Sequence, residues 1–111
     1  MTFNTSGGGA YIGTAHPVVS GTAWTMLTFV RTGTSTVLIY VNGSLYTSTA
    51  TGGATMGDPL SCSDNLWLGK YHGDHTEVLD GEIGVVRIYS GTLTAAQINQ
   101  LYTNGLTGLV R

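Results

Sequence analysis

The side chains best equipped for chemistry crowd the stretch 70–79, KYHGDHTEVL, which holds His72, Asp74, His75 and Glu77, with Asp80 following. Imidazole and carboxylate groups at this density could hold a divalent cation. For calcium, Asp74 and Asp80 together with nearby carbonyls would serve. The spacing matches no established zinc pattern, so a solvated polar loop is the plainer account. Asp80 and Glu82 are one residue apart and would point the same way from a strand, as a glycosidase pair does. Asp80 falls at a loop boundary, however, so we assign no catalytic residue and expect a protein that is not an enzyme. Trp67 lies between Leu66 and Leu68 and alternates with them. If the leucines face the core, Trp67 faces outward beside Tyr71 and His72. That surface would suit sugar stacking or a protein partner. A tryptophan packed under a loop or against another subunit fits equally. Cys62 has no base beside it in sequence and reads as a simple thiol.

Several elements must position these groups. Ile83 to Tyr89 is rich in β-branched and aromatic residues and predicts a strand, broken by Ser90-Gly91. Thr94-Ala-Ala-Gln97 is a capping box that opens a short helix. Leu93 and Ile98 stand at the positions of a hydrophobic staple, and Leu101 and Tyr102 extend the same stripe. Asn104-Gly105 predicts a left-handed exit from the helix. Upstream, Asn42-Gly43 inside TVLIYVNGSLYTST is a strong hairpin signal, because both turn residues take positive φ. Val37, Ile39 and Val41 form one face of its first strand, and Leu38 and Tyr40 the other. Apolar residues on both faces imply that something covers the outer one. Trp24 to Arg31 alternates as a strand, with Trp24, Met26, Thr28 and Val30 on one side and Leu27 and Phe29 on the other. Thr2 to Thr5 and Ala10 to Gly13 predict short strands separated by a flexible break at Gly7-Gly8-Gly9.

The stretch Asp80 to Tyr102 resembles the C-terminal signature of laminin-G-like, concanavalin A-like jelly-roll domains. Gly81, Ile83, Val86, Ile88, Tyr89, Leu93, Ile98, Leu101 and Tyr102 carry the likeness, and Leu79 and Gly84 depart from the usual Phe and Asp. Tyr40-Val-Asn-Gly43 and Leu66-Trp-Leu-Gly69 fit further family segments, and Trp24 opens the strand before the hairpin. The resemblance implies an all-β antiparallel sandwich, a jelly roll, with one short C-terminal helix. It implies a single domain over residues 1–111 in which the family's N-terminal strand pattern is not found, so open edges are expected. Many relatives bind a structural calcium. Gly84 stands where their Asp would help, so no cofactor is expected.

The 111 residues suit one small domain. Only 9% are charged while 41% are hydrophobic, which excludes a disordered composition and fits a turn-rich β protein. Four Lys and Arg supply no basic patch, so nucleic acid is not an expected partner. No apolar run is long enough for a membrane span, and MTFNTSGGG has no signal-peptide pattern. The lone cysteine argues against a disulfide-stapled secreted domain. So little surface charge gives weak protection against self-association and favours life in an assembly. The reading is therefore a non-catalytic surface module of a virion or extracellular surface, a phage decoration, cement or fibre protein. Its expected partners are further copies of itself or a virion shell protein. The rival is a lectin-like module of a larger protein that binds glycans.

Overall fold

A computed structural model describes residues 3–5, 8–10, 23–33, 36–47, 67–70 and 78–105. The centre of this structure is a three-stranded antiparallel sheet ordered β3(Leu27–Arg31), β4(Val37–Val41), β5(Ser44–Thr47). Two shorter strands, β1(Phe3–Thr5) and β2(Gly8–Ala10), form a separate antiparallel pair. One helix, α1(Ala95–Gly105), completes the regular elements.

The sheet forms because β-branched and aromatic residues alternate on a pleated surface. Its register pairs Leu27 with Val41, Phe29 with Ile39 and Arg31 with Val37, so these residues share one face. Thr28 opposite Tyr40 and Val30 opposite Leu38 occupy the other. Val37 and Ile39 are buried on the first face, and Val30 and Tyr40 on the second. The expectation that both faces of the hairpin's first strand are covered is therefore met within the chain.

Asn42 and Gly43 make the β4–β5 turn with φ of 50° and 80°. Positive φ at both positions is the requirement of the two-residue hairpin. Asn42 also ties the turn to β3. Its backbone N–H donates to the Met26 carbonyl at 2.9 Å, and its side-chain Oδ1 accepts the Met26 N–H at 2.9 Å. Beyond the turn, Leu45 pairs with Tyr40 and Thr47 with Ile39, which leaves Tyr46 as the extra residue of a bulge.

The helix begins as its capping box predicts. The Thr94 N–H donates to Gln97 Oε1 at 2.8 Å, and the Gln97 N–H donates to Thr94 Oγ1 at 3.3 Å. Ile98, fully buried, packs with Val30 and Tyr40, and Leu93, Met26 and Leu38 close around them. The staple residues thus meet in the core that fixes the helix on the sheet. Full burial of one such side chain is worth roughly 1.5–3 kcal/mol. The helix also meets the hairpin turn directly. A Cβ placed on Gly43 would stand 3.0 Å from Tyr102 Cβ and 3.2 Å from Asn99 Cα.

Four sequence expectations are corrected. Residues 83–89 adopt no strand, although their composition suits one. A strand needs a ladder partner, and among the described residues none pairs with this segment. Ile83, Val85, Val86, Ile88 and Tyr89 are accordingly all exposed. Gly8 and Gly9 are not a break, since they pair with Thr5 and Asn4 in the β1–β2 ladder. Their backbones supply the ladder hydrogen bonds that no side chain needs to support. The helix runs through Asn104 and Gly105 rather than turning left-handed there. The strand opening at Trp24 begins only at Leu27.

Candidate functional site

Residues 67–70 and 78–80 bracket the polar loop singled out by its imidazoles and carboxylates. The two flanks touch through the Leu79 N–H, which donates to the Gly69 carbonyl at 2.7 Å, and through a bridge between Lys70 and Val78. Gly69 turns the chain with φ of 73°. A Cβ there would approach Ile83 Cδ1 to 3.3 Å, so a side chain would crowd the 83–89 segment against this flank.

Trp67 is 47% exposed, as its expected outward orientation requires. Leu68 is 53% exposed and does not face a core, so the alternation that was to fix Trp67 by contrast does not hold here. With Lys70 Nζ 5.4 Å from the indole centroid, one face of the ring carries a cation–π contact. That ammonium would compete with a sugar for the face it covers. Tyr71 and His72, the other expected contact residues, and Asp74, expected as a calcium ligand, lie outside the described residues, as do Leu66 and Cys62. Asp80 is exposed at a bend, and Glu82 is exposed beyond it. Among the described residues no group of three or more His, Cys, Asp or Glu side chains converges as a metal site would require.

A second feature was not anticipated. Between the segment leaving residue 87 and helix α1 lies an open groove of about 410 Å³. Arg87 and Tyr89 form one wall, and Gln97, Gln100 and Asn104 form the other, over Leu93 and Leu101. The helix places its three amides at i, i+3 and i+7, which is one face of a 3.6-residue repeat. Ile98 and Leu101 sit on the adjoining stripe and anchor that face to the sheet. Arg87 Nη1 lies 3.5 Å from the Cβ position of Gly105, beside the last helical turn, where a cation complements the carbonyl end of the helix. The available sequence signal was the Gln97, Gln100, Asn104 spacing, which reads as ordinary helix surface until the opposite wall is known.

The comparisons bear on this arrangement as a whole. Residues 1–99 match the concanavalin A-like lectin/glucanases superfamily in its laminin-G form. The chain belongs to that superfamily. The resemblance carried by the Asp80 to Tyr102 stretch is thereby confirmed. A β-sandwich is the architecture that fits the superfamily, of which the described residues display the three-stranded antiparallel sheet and the helix. The superfamily embraces both lectins and glucanases, so membership alone assigns neither binding nor hydrolysis. No curated protein matches the chain. Among solved structures, residues 221–444 of an S-layer domain-containing protein from Clostridium thermocellum are similar, with a TM-score of 0.60 and 24% identity. The match covers 81% of this chain and 42% of that structure, so the chain spans under half the length of its structural neighbour. At that identity the likeness speaks for the fold. Among the described residues no helix is long and apolar enough to cross a membrane.

Proposed function

We propose that this chain is a non-catalytic surface module that acts by binding and assembly. The proposed partners are further copies of itself or the shell protein of a particle, such as a virion, that it decorates. One observation carries the reading. Val78, Leu79, Ile83, Val85, Val86, Ile88 and Tyr89 form an exposed apolar run, and Ile88 is 75% open to solvent. Water-facing apolar surface of this continuity marks an interface. The run is also unladdered backbone rich in strand-forming residues, a template for pairing with another chain. A neighbour's strand there would extend the three-stranded sheet's family architecture towards a full jelly-roll sandwich, which is part of the proposal. If every partner is a copy, a closed symmetric ring is the expected form. The S-layer description of the structural neighbour supports a setting at a cell or particle surface.

The carbohydrate-binding reading keeps one observation in its favour, the exposed indole of Trp67. Lys70 over that ring weakens it as a stacking platform.

Amide hydrogen exchange at two protein concentrations tests the assembly reading. The amides of 82–89 should exchange freely in dilute solution and become protected as concentration rises. Exchange that is fast at both concentrations would count against it.

A further inference from the structure

The groove between Arg87 and helix α1 lies apart from the Trp67 flank and from the apolar run, and its chemistry is different from both. Its lining contains one permanent cation and no carboxylate. In a chain with four Lys and Arg in all, a cation set in a concave site with no acidic neighbour in the lining is an uncommon use of charge. The helix wall offers carboxamides, each able to donate and accept at once. Successive amides one helical turn apart stand about 5–6 Å from each other, a spacing that neighbouring hydroxyl groups of one small molecule can bridge. Gln97 Oε1 is committed to the capping box, so its contribution is the two donors on Nε2. Tyr89 opposite them is half open and supplies a ring face and a phenolic hydroxyl. The volume, about 410 Å³, falls in the range of small-molecule sites.

We propose that this groove binds a hydroxylated carboxylate of the sugar-acid class. The Arg87 guanidinium takes the carboxylate in a forked, charge-assisted pair. The amides of Gln97, Gln100 and Asn104 take the hydroxyls, and the apolar side of the ring lies over Tyr89. A neutral sugar would leave Arg87 unanswered, and an acidic peptide would leave the amide row without hydroxyls to match. The ligand can arrive as a free sugar acid or as the end unit of an acidic glycan, since both present the same group.

Calorimetric and ¹⁵N–¹H NMR titrations on the whole chain test this, with galacturonic acid, trigalacturonate, neutral galactotriose and a glutamate-rich peptide as probes. The expected result is binding of one or both acidic sugars in the range of roughly 0.1–1 mM, with shifts centred on Arg87, Tyr89 and Gln100. The monomer against the trimer separates a free ligand from a glycan end. Arg87→Gln should weaken binding about tenfold or more, as loss of one charge-assisted pair does, and Arg87→Lys should restore part of it. Gln100→Ala should weaken it less, and Trp67→Ala should leave it unchanged. Both groove residues are exposed, so the spectra of the free variants should keep the parent dispersion. Equal binding of galactotriose, binding of the peptide alone, unaltered affinity in Arg87→Gln, or no binding of either acidic sugar would each overturn the proposal. The outcome is independent of the oligomeric state, which the assembly reading predicts separately.

Discussion

Replacing Gly43 tests the join between hairpin and helix. Two costs act together at this position. The first is conformational, because an L-residue held at φ of 80° occupies the left-handed region at about 1–2 kcal/mol. The second is steric. A Cβ would lie 3.0 Å from Tyr102 Cβ and 3.2 Å from Asn99 Cα, and the second of these is helix backbone that cannot swing aside. Crowding of that kind costs about 1–3 kcal/mol. Against both, removing a glycine restricts the unfolded chain and returns about 0.4–1 kcal/mol. Gly43→Ala should therefore destabilise by about 2–4 kcal/mol, a fall in Tm of roughly 10 °C or more for a domain of this size. Gly43→Val should be worse, since a branched Cβ tolerates positive φ least. Gly43→Asn divides the two costs, because Asn accepts the left-handed region yet brings the same Cβ to the helix. Gly91→Ala is the control. A Cβ there meets nothing within 4 Å, and the change should stay within about 0.5 kcal/mol. Thermal and urea unfolding followed by circular dichroism give the values. A Gly43→Ala protein melting within a degree or two of the parent would refute both the turn and its contact with the helix.

Three further outcomes follow from the same packing. Ile98→Ala empties the only helix position that is fully buried among the described residues and should cost about 2–5 kcal/mol in urea unfolding, much of the stability of a small domain. Thr94→Ala removes the hydroxyl that accepts the Gln97 N–H and should cost about 1 kcal/mol, read from the urea midpoint. EDTA should leave the thermal midpoint unchanged, and a large drop restored by calcium would instead place an ion at the loop that begins beyond Lys70.

What the sequence made legible was local. The Asn42-Gly43 turn and the Thr94–Gln97 box each complete their chemistry within a few residues, so their hydrogen bonds follow from residue type alone. The alternation of β4 also announced its burial on both faces, because apolar side chains at successive positions leave no solvent face. The misses were non-local. Ile83 to Tyr89 has the composition of a strand, but composition cannot supply a ladder partner, and Leu68 alternates correctly without a core to enter. Gly8 and Gly9 looked like a break because a ladder uses backbone groups that a side-chain reading does not weigh. Of the expected contact residues, the sequence placed Trp67 outward for a reason that Leu68 does not support. The groove escaped notice because its two walls, Arg87 with Tyr89 and the amide row of α1, meet only when Ile98 seats the helix against Val30 and Tyr40.

Sedimentation equilibrium of the purified chain and of Ile88→Lys most directly tests assembly through the exposed 78–89 run. The side chain of Ile88 is mostly in solvent, so the lysine leaves the fold intact while placing charge in the run. The account predicts a discrete oligomer for the parent at micromolar concentration and a shift towards monomer for Ile88→Lys. A folded, soluble monomer for both proteins, with no affinity for a shell protein, would contradict it.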